Sequence, residues 1–409
     1  MKKTTLKIFV ACLLLVQILA LSACGGTPRT SSETTPAQTT LAPDTSKPSE
    51  TESPAASGEI KNIIYIIGDG MGLDHIALGQ MMYQQKYAFT DWQFTTANTD
   101  SVLETGRGPV TTDSAASGTA LATGNLTING YVGKDCSGVD VTTILDKAKA
   151  LGKSTGVVTT DALTGATPAA FSAHSLNRDK AAEIAASQLT SGVDLLCGHT
   201  SSVTANRDAA ETNGYAYCDD FSKVDEVMTA EKTYWQFDLG GVEATQGLAD
   251  TAIKALDFLD RDADGFALMI EQAHIDKYSH SNDIGGAAAS VQSLADTVDA
   301  ILAWLGDRTD TAIVITSDHE TGGLSVSYEP YYSTSTFGVV KADDGERPCV
   351  YYHYSTTGHT NAKVGVFVFG IQADFSEFSY YGTENTIKNI NVYDLLVDVL
   401  DHPTEYGSK

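Results

Sequence analysis

Carboxylates and imidazoles recur along this chain in one setting, next to a short apolar run. Asp69 follows Asn62–Ile67 inside Gly68-Asp69-Gly70-Met71-Gly72, and Glu271, His274, Asp276 and His280 follow Phe266-Ala267-Leu268-Met269-Ile270. Ser317, Asp318 and His319 follow Thr311–Thr316, and Gly358-His359-Thr360 stands just before Val364–Phe369. Imidazole nitrogen and carboxylate oxygen are both ligands for Zn²⁺, which in catalytic sites keeps a coordination position open. Asp276 and His280 are four residues apart and share a face if helical; the adjacent pair Asp318-His319 suits a loop better. Any one of these residues could instead cap a helix or bond the backbone. Three clusters, each after a predicted strand, point jointly to metal binding.

A second kind of chemistry is offered by Val110–Ala120, read VTTDSAASGTA, which holds five hydroxyl side chains in eleven small residues. Asp113 is a good N-cap, and Ala115–Ala122 would form a helix of little side-chain bulk. Ser114 then lies in the first turn, where free N–H groups and the helix dipole favour an anion such as phosphate or an alkoxide. A capped helix packed closely on its neighbours accounts for the stretch equally well, and the stretch alone leaves both readings open.

The elements that must position these residues alternate. Strands are predicted at Asn62–Ile67, Ser154–Thr160, Gly192–Leu196, Gly265–Ile270, Thr311–Thr316 and Val364–Phe369. Helical spacing runs through Thr142–Leu151, Leu248–Leu259 and Gly286–Leu305. Apolar strands alternating with helices predict an α/β fold, with a central, mostly parallel sheet flanked by helices on both faces. Ligands of such sheets sit beyond the carboxyl ends of the strands, where the candidate residues fall. No fixed-period repeat is visible.

The chain is 409 residues long, with 42% hydrophobic and 19% charged residues, as expected for a globular protein. Its start differs. Lys2, Lys3 and Lys7 precede an apolar run, Ile8–Leu21, too short for a confident membrane span. The ending Leu21-Ser22-Ala23-Cys24 resembles a bacterial lipobox, which implies a signal peptide over 1–23, lipid on Cys24 and an extracytoplasmic, membrane-anchored protein. A Thr/Ser/Pro-rich stretch to residue 58 reads as a disordered tether, leaving 59–409 as one globular domain. Removing the signal's three lysines and no acid takes the formal charge from −26 to −29. Such acidity argues against a nucleic-acid partner and requires anionic substrates to be attracted locally. Cys136, Cys197, Cys218 and Cys349 remain, an even count that predicts two disulfides in an oxidising compartment. We expect Cys197–Cys218 and Cys136–Cys349. No C-x-x-C spacing supports a cysteine zinc site.

Taken together, Gly68–Gly72, Thr112–Ser117 (TDSAAS), Ala166–Ala170 (ATPAA), Glu271/Asp276/His280, Asp318-His319 and Gly358–Thr360 resemble the alkaline phosphatase family, in the family's order and across nearly the whole domain. The resemblance implies hydrolysis of small phosphate monoesters by two Zn²⁺ and one Mg²⁺, in a family whose members are often homodimers. It makes Ser114 the nucleophile and carrier of a phosphoserine, with Arg178 the phosphate clamp. One zinc site falls on Asp276, His280 and His359, and the second on Asp69, Asp318 and His319. Thr167 and Glu271 join Asp69 at magnesium. Lys277 matches a subset of members whose lysine contacts phosphate through water.

Gly165 departs from the pattern, because members usually carry Asp or His there; glycine offers no ligand, so a weakened or solvent-filled third-metal site is expected. The segment Thr321–Thr357 is short for the family and rich in tyrosine, which predicts a reduced crown-like insertion. Its tyrosines would line the substrate entrance or pack in a surface hairpin. A sulfatase would carry a C-x-P-x-R block, absent here, and phosphodiesterase relatives often use Thr and lack the Arg178 equivalent. A lipoprotein solute receptor is the rival from another class, but it has no use for a serine between two metal sites.

Overall fold

The computed structural model describes residues 58–102, 110–200, 207–328, 338–340, 349–378 and 386–406. The expected signal peptide, Cys24 and the tether up to residue 57 lie outside these residues, as do Tyr331 and Tyr332. In chain order the strands are β1 (Asn62–Gly68), β2 (Gln93–Asn98), β3 (Ser154–Thr159), β4 (Leu195–His199), β5 (Ala216–Cys218), β6 (Thr233–Phe237), β7 (Phe266–Gln272) and β8 (Thr311–Thr316). They continue with β9 (Glu320–Thr321), β10 (Leu324–Ser327), β11 (Gly338–Val340), β12 (Val350–Tyr354), β13 (His359–Thr360), β14 (Val364–Phe369) and β15 (Thr386–Lys388). Ten of them form one sheet in the order β15-β2-β14-β8-β1-β7-β3-β4-β6-β5. Only β14 runs antiparallel to its neighbours, β2 and β8.

β1, β7 and β8 are buried along their whole length, which is why they read as unbroken apolar runs. Alternate side chains of β1 feed two cores. Ile63, Tyr65 and Ile67 pack with the helices Ser114–Thr123, Ile144–Ala150, Ala166–Ser172 and Ile390–Asp401. Ile64 and Ile66 pack with Leu73–Tyr83, Leu248–Leu259 and Ile284–Leu305 on the other face. The fold is therefore the expected α/β sandwich. Among the described residues no helix is long and apolar enough to cross a membrane.

Several boundaries move. Thr143 caps Ile144–Ala150 through a reciprocal box with Asp146, which trims the expected Thr142–Leu151. The strand expected at Gly192–Leu196 lies at Leu195–His199, because Gly192 turns at φ +87°. β2, β5, β6 and β15 were not anticipated. Within Thr321–Thr357, β10, β12 and β11 make a small antiparallel sheet. Leu324 and Val350 of that sheet join Leu78 and Ile284 in a satellite core, with Tyr352 and Tyr354 packed against it. Among the described residues of this segment, these two tyrosines serve packing.

The disulfide expectation fails. Cys197 pairs in register with Trp235 on one side and Cys218 pairs with Trp235 on the other. A whole strand separates the two sulfurs' strands, so the Cα atoms stand about two strand spacings, roughly 9.5 Å, apart, beyond the ~7 Å limit for a bridge. Cys136, exposed, and Cys349, half-buried, are also free thiols.

Candidate active site

The sheet itself gathers the site. Thr159, Glu271, Ile67 and Thr316 form one row of register partners across β3, β7, β1 and β8. Ile67 belongs to the core shared with Ser114–Thr123 and Ala166–Ser172, so the row faces those helices. Two residues further along three of these strands stand Asp69, Asp161 and Asp318. Parallel strands with a common period of two therefore bring distant carboxylates to one rim. Gly70, in the left-handed region at φ +73°, turns the chain away at that rim; a Cβ there would lie 2.8 Å from the Cα of Asp276.

Two groups of donors converge. Asp69, Asp318 and His319 offer atoms within 4.8 Å of one another, as do Asp276, His319 and His359. Asp318 Oδ1 accepts from the backbone N–H groups of Gly70 and His319, at 3.1 and 2.9 Å. Its Oδ2 has no hydrogen-bond partner and lies 3.1 Å from His319 Nε2. Asp69 Oδ1 is likewise buried and unpaired, 3.7 Å from the same nitrogen. His280 sits with the second group, its Nε2 3.2 Å from Asp276 Oδ1 and 3.1 Å from His359 Nε2. His280 Nδ1 faces the Thr357 carbonyl at 2.6 Å, and His359 Nδ1 faces the Thr112 carbonyl at 2.8 Å. A carbonyl takes only a proton donor, so both rings carry a proton on Nδ1 and turn Nε2 toward Asp276. Between such a nitrogen and a carboxylate either a proton or a cation must lie.

Ser114 is the first residue of the helix Ser114–Thr123, and Asp113 caps it by accepting from the Ala116 N–H at 2.9 Å. Its Oγ, 4% exposed at the residue level, lies 3.2 Å from His319 Nε2. The other Asp113 oxygen accepts from the Gly130 N–H at 3.0 Å and from Arg178 Nη1 at 3.1 Å. Arg178 keeps its charge because the adjacent Asp113 outweighs the penalty of burial, and Asp69 and Asp318 act in the same direction. Ser117 does more than pack: its hydroxyl donates to the Asp318 carbonyl and accepts from Asn389 Nδ2, tying the helix to the donor loop. Thr119 bonds the Tyr131 carbonyl and the Gly133 N–H.

Of the remaining expected ligands, Glu271 stands close enough to Asp69 for their charges to repel. Thr167 Oγ1 is buried without a partner. Glu271 accepts from Thr159 Oγ1, which in turn accepts from the Asp161 N–H at 2.8 Å. Lys277 donates to Asp161 Oδ1. The space beside Gly165 is not solvent: a Cβ there would meet Asp161 Oδ2 at 2.6 Å.

These carboxylates burden one another. Burial raises Asp69 well above the ordinary carboxylate range, and Asp318, Asp276 and Glu271 push it further. Glu271 is pushed up to about 8, by burial first and then by Asp161. Burial also opposes ionisation of Asp276, but the hydrogen bond from His280 and the His319 ring hold its carboxyl well below the usual range, and His280 rises to about 9 beside it. Burial lowers His319. Unpaired oxygens, imidazole nitrogens turned toward a carboxylate and crowded carboxylates are the donor set of divalent cations, whose charge would relieve the repulsion.

Thr321 and Asp161 escape the sequence reading, which marks Ser317 only as a strand-end residue. Thr321 donates to Asp276 and faces His319 Nδ1 at 3.2 Å. Ser317 bonds the His319 carbonyl and the Met71 N–H, closing the Gly68–Gly72 loop onto the donor strand. Asp161 follows β3 as Asp69 follows β1, and the rule of looking beyond strand ends would have found it.

The family model for alkaline phosphatase matches residues 60–202 and 223–380. Among curated proteins, alkaline phosphatases 4 and 3 of Bacillus subtilis are both 32% identical, over 290 and 310 residues. The alignments cover 66% and 67% of this chain and 63% and 64% of those proteins, so the chain spans just under two thirds of their length. Among solved structures, alkaline phosphatase from the Antarctic bacterium TAB5 superposes with a TM-score of 0.71 at 25% identity, covering 84% of this chain and 99% of that one. The matched segments enclose every residue of the rim described above, and the chain belongs to the alkaline phosphatase family.

Proposed function

We propose that the chain hydrolyses phosphate monoesters to an alcohol and inorganic phosphate, through a phosphoserine on Ser114. The observation carrying this reading is Ser114 Oγ at a helix N-terminus, 3.2 Å from Nε2 of His319, the residue that both convergent donor sets share. Arg178 would grip two phosphate oxygens in its planar fork, held in place by Asp113. The Ser114 oxygen attacks phosphorus as the ester P–O bond breaks and the alcohol departs; water then cleaves the Ser114–phosphorus bond, releasing phosphate and restoring the hydroxyl. When bound, Zn²⁺ at Asp276/His280/His359 and at Asp69/Asp318/His319, with Mg²⁺ at Asp69/Thr167/Glu271, would supply the charge that lets Ser114 ionise and that steadies the leaving oxygen. A TAB5 alkaline phosphatase variant was solved with Mg bound in its third metal site, which supports the third position.

The N-terminal reading adds that the enzyme works outside the cytoplasm, tethered by lipid on Cys24. Labelled fatty acid entering the wild type but not Cys24→Ser tests this. The activity is tested by comparing p-nitrophenyl phosphate with its bis ester in defined Zn²⁺ and Mg²⁺. The monoester should be preferred. Absence of turnover, or preference for the diester, would overturn the proposal.

A further inference from the structure

Gly165 leaves a hole in the expected pattern, and a different residue stands in it. Gly165 caps the helix Ala166–Ser172 that carries Thr167, and it has an ordinary φ of −57°. A side chain would be allowed there by the backbone; what forbids one is the Asp161 carboxylate, with Oδ2 2.6 Å and Cγ 3.1 Å from the position of its Cβ. The Ala162 carbonyl, at 3.0 Å, is the other near neighbour. Asp161 thus reaches from four residues upstream into the volume that a side chain at position 165 would take.

Its orientation is fixed from several sides. The backbone carbonyl of Asp161 accepts from the His199 N–H at 2.7 Å, and its N–H donates to Thr159 Oγ1. Oδ1 accepts from the Ala162 N–H at 2.7 Å and from the Lys277 ammonium. Through Thr159 the chain of hydrogen bonds continues to Glu271. In the first turn of the helix that Gly165 caps, Thr167 Oγ1 is 1% exposed at the residue level and unpaired among the described residues, a buried oxygen awaiting a partner. Two carboxylates linked through Thr159, with an idle hydroxyl on the adjoining helix, are oxygen donors of the kind a hard divalent cation takes.

We infer that Asp161 supplies the third cation site with the carboxylate that position 165 lacks, and that its other oxygen positions the Lys277 ammonium. The site is then complete by relocation rather than weakened by glycine. The inference rests on the phosphatase reading. It differs from that reading in concerning one residue's contribution to one cation.

Calorimetric titration of Mg²⁺ into metal-stripped, zinc-reloaded protein tests it, with thermal unfolding read alongside. Asp161→Asn keeps the side-chain shape and is expected to bind Mg²⁺ about ten- to a hundredfold more weakly, the usual cost of losing a supporting carboxylate. Its zinc content should not change, and the rise in Tm that Mg²⁺ gives the wild type should shrink. Asp161→Ala combined with Gly165→Asp returns a carboxylate to the same volume from the other position and should recover most of the affinity. Wild-type affinity in Asp161→Asn, or no recovery in the double variant, would overturn the inference. If the wild type itself takes up no Mg²⁺ and turns over no monoester, the phosphatase reading falls instead.

Discussion

Ser114 is set apart from the four other hydroxyls of its stretch by what its oxygen faces. Ser117 and Thr119 spend their hydroxyls on backbone carbonyls, whereas Ser114 Oγ meets only His319 Nε2 across the rim. Replacing Arg178 by Lys keeps the charge and removes the fork. A charged hydrogen bond is worth about 1.5–3 kcal/mol, so kcat/KM for a monoester should fall roughly tenfold or more, with weaker inhibition by inorganic phosphate. His75 gives a prediction away from the donors. Its Nδ1 accepts from the Gly72 N–H at 3.2 Å and its Nε2 contacts Ser279 Oγ at 2.9 Å, and burial lowers it to about 4. Between about pH 6.5 and 4 the unfolded chain binds a proton here that the folded one does not. Stability from this residue is therefore complete above about pH 6.5 and falls as the pH drops toward 4, by ~3 kcal/mol. Denaturant midpoints for His75→Gln should show a shallower acid slope than the wild type; equal slopes would discount this role. The Gly165 reading shows why single positions mislead. Its missing side chain is legible in the sequence, and Asp161 is legible as a strand-end residue, but that the one fills the space of the other depends on the path of the loop between them.

The elements that could be read were those whose environment is uniform. β1 and β8 are buried on both faces and stand out as Asn62–Gly68 and Thr311–Thr316. β2 alternates imperfectly and has Phe94 largely exposed, so its sequence, QFTTAN, carries no clear period. The helix Ser114–Thr123 was legible through its cap. Its small residues are explained by a neighbour: a Cβ on Gly118 would lie 3.2 Å from Ala170 Cβ and 3.4 Å from Thr167 Cα. Gly118→Val must push the two helices apart, for about 1–3 kcal/mol of overpacking. Because one helix carries Ser114 and the other Thr167, the variant should lose activity as well as Tm. A Tm change with full activity would separate packing from the site. Cysteine spacing misled, since an even count says nothing of the strand, β6, that lies between Cys197 and Cys218.

At the scale of the molecule, the sheet sums distant segments into one concentration of negative charge. Asp69, Glu271, Asp276 and Asp318 come from three strand ends and one helix, and two of them are held above their ordinary range by burial and by one another. Chelation should therefore destabilise the whole fold, because ions that bind only the native state add RT ln(1 + [L]/Kd), about 2.7 kcal/mol at a hundredfold excess over Kd. Thermal unfolding with and without chelator checks this, and an unchanged Tm would deny the cations their structural role. Acid-quenched reaction with p-nitrophenyl phosphate, followed by mass spectrometry of the Ser114 peptide, addresses the central claim most directly. One phosphoryl group on Ser114 of the wild type, absent in Ser114→Ala together with a rate loss of about a thousandfold or more, is the result the account predicts. An unmodified Ser114 peptide, or a Ser114→Ala variant that still turns over the ester at the wild-type rate, would contradict it.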